Sequence, residues 1–211
     1  DFDQPHTMVG GAEIHAAMTR VTREVVARAR IPIGVEVLLN DWRASLAIAA
    51  MTGARFIRID FFVDRVMTKL GPFEPEPEAI LAYRQAIKAE QVQLFTDLQV
   101  KYTTPIGGPK PLALSAREAA AAGADAVIIS GGETGIGPDP DDLRAARATS
   151  LPVLIGSGLT PENAATLAPL CDGAIVGTSL RSGRTHRDRV VQEQVTRLVH
   201  AVRAVPSTPM A

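Results

Sequence analysis

Short apolar runs rich in β-branched residues alternate along this chain with longer, alanine-rich amphipathic segments, and few folds accept that alternation. Runs that are apolar on both faces, separated by helical segments, describe parallel strands covered by helices. Six strands are predicted, over 31–39, 55–63, 92–100, 125–130, 152–156 and 173–177. The helices between them carry physical start and stop signals. Asn40 or Asp41 can cap a helix that ends at Gly53, and a segment over 77–90 leads to the third strand. Ser115 can cap an alanine-rich helix ending at Gly123, and Asp139 opens another at Pro140. Thr160-Pro161-Glu162-Asn163 combines a capping hydroxyl, a proline at the first helical position and an acid in the first turn. Two further helices, over 13–30 and 187–204, bracket the set. No linker rich in Pro, Gly or Ser interrupts the pattern, so 1–211 reads as one domain.

Alternating units can form an open doubly wound sheet or a closed barrel. An open dinucleotide-binding sheet places a Gly-x-Gly-x-x-Gly turn after an early strand, whereas the early turns here are Asn40-Asp41 and Asp64-Arg65. Glycine-rich turns follow the last three strands instead, which favours the barrel. Composition narrows the partners. The 22 Lys and Arg balance 23 Asp and Glu, leaving no basic footprint for nucleic acid. A single cysteine, Cys171, forms no internal disulfide, no apolar run is long enough to span a membrane, and the first residues lack a signal-peptide layout. A cytoplasmic protein is expected.

The chemistry concentrates in a few places. Gly156-Ser157-Gly158 follows the fifth strand and Gly177-Thr178-Ser179 the sixth. Loops in this position of a barrel present unobstructed backbone amides and hydroxyl donors to a phosphate. Either turn alone also suits a plain strand-to-helix connection. The loop containing Gly131, Gly132 and Glu133 is long enough to contact substrate, or simply to move. Asp97, Gln99 and Lys101 alternate and point to one face, where Asp97 and Lys101 could perform acid–base work, hold an anion, or form a partly buried ion pair. Glu36 and Asp60 sit in apolar runs, where a carboxylate is costly unless paired or functional. No cofactor is expected, although Glu36, Asp60 and Asp97 together could hold a divalent cation through oxygen ligands. His6, His15, His186 and His200 lack metal-ligand spacing, Cys171 reads as a packed thiol, and Arg181, Arg184, Arg187 and Arg189 suit an anion or solvent.

The stretch Ile155-Gly156-Ser157-Gly158-Leu159-Thr160-Pro161-Glu162-Asn163-Ala164, followed by Asp172-Gly173-Ala174-Ile175-Val176-Gly177-Thr178-Ser179-Leu180, resembles the end of the BtpA/SgcQ family. So do the run from Gly34 to Asp41, the run from Thr52 to Arg58, and Asp97-Leu98-Gln99-Val100-Lys101 at its Asp and Lys. The resemblance implies an α/β fold, a (β/α)8 TIM barrel of the ribulose-phosphate-binding type. It implies no established reaction: founding members are linked to accumulation of photosystem I reaction-centre proteins, and others are placed only by sugar-metabolism gene clusters. Against the family pattern, Glu36 and Asp60 stand where Asn is usual, Leu39 replaces an Arg, and Gln99-Val100-Lys101-Tyr102 replaces a His-x-Lys-His run. Two proton-carrying imidazoles are thereby absent while the phosphate turns keep the pattern.

Family members begin with a strand, a helix and a second strand, and Asp1-Phe2-Asp3-Gln4-Pro5 aligns with the end of that segment. The six strands then correspond to barrel strands 3 to 8. Either residues precede this sequence, or a second copy covers the exposed sheet edges in a homo-oligomer. Two functions are expected from these observations. One is an isomerase, lyase or transferase acting on a small phosphorylated metabolite. The other is a non-catalytic photosystem I assembly or stability factor that keeps the barrel and its anion site.

Overall fold

A computed structural model describes residues 7–133, 135–183, 185 and 187–206; His6, Arg184 and His186 lie outside the described residues. Helix α1 (Ala12–Arg28) precedes β1 (Gly34–Val35), and α2 (Trp42–Thr52) leads to β2 (Phe56–Ile59). Of the two candidate caps for α2, Asp41 is the one used: its Oδ1 accepts from the Ala44 N–H at 3.0 Å, and Gly53 ends the helix in the left-handed region at φ 85°. Two short strands, β3 (Val66–Thr68) and β4 (Gly71–Phe73), come before α3 (Pro77–Ala86) and the long β5 (Gln93–Leu98). Then follow β6 (Thr104–Pro105), α4 (Leu112–Ala121), β7 (Ala126–Ile129), α5 (Pro140–Ala146) and β8 (Val153–Ile155). Asp139 caps α5 as expected, accepting from the Asp141 N–H at 2.8 Å. The chain finishes with α6 (Ala164–Leu167), β9 (Gly173–Ala174) and α7 (Gln192–Arg203).

Two helix starts differ from the sequence reading. Ser115 is not a cap but a buried residue inside α4, because its hydroxyl donates to Asp64 Oδ1 at 2.7 Å. Thr160 and Asn163 do bond each other's backbone amides, at 3.3 and 2.8 Å, yet regular helix begins only at Ala164. The Asn163 side chain is committed to the preceding turn, which it holds through Gly158 O at 2.8 Å.

All six expected strands pair in parallel in one curled sheet of order β1-β2-β5-β7-β8-β9. The period of two sorts their side chains. Ile57, Ile59, Leu94, Val127, Ile129 and Val153 face outward and pack with Leu46, Ile80, Ala116 and Leu143 of the helices. The inner face carries Phe56 and Phe95, stacked with centroids 4.5 Å apart, and above them a polar layer. Gly34 is required there, since a Cβ on it would lie 2.0 Å from the Phe56 ring. At the amino ends of the strands, Asp125 and Asp172 accept the Leu94 and Val153 amides and pair with Arg84 and Arg147. That face is devoted to holding strands in register.

A three-stranded antiparallel ribbon, order β4-β3-β6, rises from the loops after β2 and β5. Asp64 anchors it: its carboxylate accepts from Lys110 Nζ at 2.7 Å, from the Ser115 hydroxyl and from the Gln99 amide at 3.0 Å. Among the described residues no helix is long and apolar enough to cross a membrane.

Candidate functional site

Every parallel strand delivers a side chain or a glycine turn to one cavity of about 780 Å³ at the carboxyl ends of the sheet. Glu36 follows β1, Asp60 follows β2, Asp97 lies near the end of β5, Ser130 follows β7, Gly156 follows β8, and Gly177 lies beyond β9. This is the end of a parallel barrel where loops, rather than the strand ladder, decide which chemistry is presented. The ribbon supplies the rim with Thr68, Lys69 and Leu70, joined by Lys101 and Tyr102.

On the β1–β2–β5 side the cavity is built from charge. Arg58 donates Nε and Nη2 to the two oxygens of Asp97, both at 2.7 Å, and its Nε lies 3.9 Å from Glu36. Burial pushes the Asp97 carboxyl up to about 6 even though Arg58 pulls it down, so at neutral pH it is largely ionised and paired. Burial would lower the Arg58 pKa, but the paired bonds with Asp97 and the neighbouring carboxylates raise it instead. Glu36 is held well above the usual carboxylate range, first by burial and then by the charge of Asp60; the two carboxyls also share a hydrogen bond. The arrangement therefore sets a carboxyl that holds its proton more tightly than usual beside the Arg58–Asp97 ion pair, a difference that acid–base chemistry can use. Among the described residues no three His, Cys, Asp or Glu side chains are disposed to hold a metal ion. The guanidinium of Arg58 takes the Asp97 oxygens that such a set would use.

On the β8–β9 side the walls are main chain and hydroxyls. A Cβ on Gly177 would meet nothing within 4 Å, so its backbone faces open space. A Cβ on Gly156 would lie 2.3 Å from Ser130 Oγ and 3.4 Å from Arg58 Nη2, and one on Gly158, at φ 78°, would strike the backbone of Ile136. The hydroxyls of Ser130 and Ser157 are buried without a hydrogen-bond partner, an unspent capacity that a buried polar group rarely retains.

A family model described as the BtpA family matches residues 1–204. The chain belongs to the BtpA family. Among its BtpA-family relatives, an uncharacterized protein of Archaeoglobus fulgidus is 34% identical over 95% of this chain and 79% of its own. The photosystem I biogenesis protein BtpA of Synechocystis is 32% identical, over 89% of this chain and 66% of its own. The solved structure of 3-hexulose-6-phosphate synthase superposes with a TM-score of 0.58 at 17% identity, covering 92% of this chain and 82% of that one. The fold of this BtpA-family chain is thus that of a TIM barrel, with six of its parallel strands present in the described residues.

Of the residues singled out in the sequence, Glu36, Asp60, Asp97, Lys101, Gly156, Ser157, Gly158, Gly177 and Thr178 line this one cavity. Ser179, Gly131, Gly132, Glu133 and Gln99 are not among the described residues that line it. Ser179 turns away and donates to Leu159 O at 2.8 Å. Gly131, Gly132 and Glu133 belong to a loop folded onto the Gly158 turn: a Cβ on Gly131 would lie 2.4 Å from Ile136 O. Gln99 leaves the alternation as well, because at φ 49° the strand has ended and its side chain bonds Lys110 O at 2.7 Å. His15 bonds Asp41 at 2.9 Å, far in function from a metal ligand, and Arg181 lines the cavity while donating to Asp188 O at 2.7 Å. Arg58 went unnoticed in the sequence. Its signal was present, since it lies two residues before Asp60 and shares that residue's face of the strand.

Proposed function

We propose that the cavity binds a small phosphorylated metabolite, its phosphate at the Gly156-Ser157-Gly158 and Gly177-Thr178 turns. The observation that carries this reading is the opening of both glycine turns into one cavity whose other wall is a set of ionisable groups. Exposed amides and hydroxyl donors suit an anion, and the unpartnered Ser157 hydroxyl adds a donor. Glu36 and Asp60 would exchange a proton with the bound ligand, with Asp97 and Lys101 beside them, in an isomerase, lyase or transferase reaction. The name of the structural neighbour 3-hexulose-6-phosphate synthase, a barrel acting on a sugar phosphate, supports this class of ligand.

Thermal denaturation with and without inorganic phosphate and sugar phosphates tests the reading. A ligand at about 100 times its Kd stabilises the fold by about 2.7 kcal/mol. Gly177→Asp, for which there is steric room, places a carboxylate against the phosphate and abolishes the shift; an unchanged shift places the ligand elsewhere. The relationship to the photosystem I biogenesis protein BtpA supports a second reading, a cytoplasmic assembly factor in which the cavity has no turnover. Absence of any stabilisation across the phosphates favours that alternative.

A further inference from the structure

We infer that Arg58 is a ligand-binding residue, and that its outer guanidinium edge holds the phosphate against the glycine turns. This rests on the phosphate reading above and adds the cation which that reading lacks, since both turns offer only amides and hydroxyls. Arg58 carries five N–H donors in a rigid plane. Its side-on pair with Asp97 uses Nε and one hydrogen of Nη2, both at 2.7 Å. The end-on edge, formed by the other Nη2 hydrogen and by Nη1, makes no hydrogen bond among the described residues. A guanidinium pinned along one edge presents the other in a fixed direction, so little freedom is lost when it binds.

The free edge lies at the Gly156 turn. Arg58 reaches from β2 across the inner face until its Nη2 stands 3.4 Å from where a Gly156 Cβ would be, and the missing side chain leaves the guanidinium and the turn in direct proximity. The Ser130 hydroxyl, 2.3 Å from the same position, is buried without a hydrogen-bond partner. Arg58 lines the cavity and its side chain is 22% exposed, so the unspent donors open into it. A purely structural ion pair would need only the Asp97 edge. Asp97 does not cancel the second edge, because the two forks of a guanidinium can each pair with an oxyanion. Lys69, Lys101 and Arg181 line the same cavity, so among the described residues its cations, with Arg58, outnumber its three carboxyls whatever their protonation. That excess favours an arriving dianion.

Calorimetric titration of the full chain with inorganic phosphate, beside a urea transition for each variant, separates binding from folding. Arg58→Met with Asp97→Leu removes both charges together and leaves no buried group unpaired. This double variant is expected to stay folded and to bind phosphate at least about tenfold more weakly than wild type. Arg58→Lys keeps a cation beside Asp97 but has no second edge, and is expected to weaken binding about as much. Arg147→Lys is the control: Arg147 pairs with Asp172 at the amino ends of the strands, outside the cavity lining, and its variant is expected to bind as wild type does. If either folded Arg58 variant binds phosphate within about threefold of wild type, this inference is overturned while the phosphate site stands. If Arg147→Lys weakens binding as strongly, the loss reflects a general loosening of the sheet and the inference falls. If wild type itself binds no phosphate, the phosphate reading is overturned and this inference with it.

Discussion

At Gly156 one hydrogen atom decides whether the inner face can close. An added methyl group would press on Ser130 Oγ at 2.3 Å and Ile128 Cγ2 at 2.7 Å. Gly156→Ala is therefore expected to cost about 1–3 kcal/mol in urea denaturation and to weaken phosphate binding, as overpacking a close-packed site does. The Arg58–Asp97 pair is the second decisive contact of the inner face, with side chains 22% and 3% exposed. Asp97→Ala leaves a guanidinium buried without its partner and is expected to lose about 3–5 kcal/mol. Removing both charges, as Arg58→Met with Asp97→Leu, is expected to recover most of that loss on the same denaturation curves. Asp97, Glu36 and Asp60 were legible in the sequence because an acid inside an apolar run needs a reason. Arg58 shares the strand face of Asp60, but that signal alone is weak, since an arginine flanked by apolar residues reads equally well as a long side chain reaching solvent.

Among the elements, α2 organises the entrance of the sheet. One oxygen of Asp41 caps the helix, and the other accepts from the Gly10 amide at 2.8 Å and meets His15 at 2.9 Å, so a single carboxylate ties α1 to α2. Asp41→Ala is expected to cost about 1–2 kcal/mol for the cap. It is also expected to raise amide exchange through α1 more than through β5, which hydrogen exchange reads directly. The main strands and helices follow from periodicity and caps, although β1 keeps only two residues of the predicted 31–39 and α4, α6 and α7 start elsewhere than the sequence places them. The ribbon was not legible: strands of two or three residues are too short for a period of two to show, and Pro72 and Pro105 argue against strand. Asp64 makes the ribbon possible, by joining residues 46 and 51 positions away that no local pattern connects.

For the whole molecule, the buried carboxyls make stability depend on pH in a definite direction. Asp97 has its pKa raised from 3.8 to about 6, and that of Glu36 is also raised, so the folded state holds protons that the unfolded chain has released. The contribution is fully present below the unfolded values and is lost as pH rises through the folded ones. Glu36→Gln removes one of the two titrations and is expected to flatten the fall in stability as pH rises above the ordinary carboxylate range, measured as urea midpoints against wild type. A steeper fall in the variant would mean that Glu36 is ionised in the folded protein. The groups facing Glu36 and setting this balance are Asp60, Arg58 and Asp97.

The parallel α/β class, the six strands, the presence of the helices and the two glycine turns are legible along the chain, because periodicity, capping and turn residues are local properties. The chain's likeness to one family covered the same ground from end to end. Which chemistry-bearing residues meet follows from the folded arrangement alone. Curling the sheet brings Glu36, Asp60 and Asp97 to the same cavity as Gly156 and Gly177, sends Ser179 and the Gly131 loop elsewhere, and gives Arg58 to Asp97. Pairings of this kind depend on three-dimensional distance and on burial, which sets the cost of an unpaired charge, and neither quantity is written in the spacing of residues along the chain.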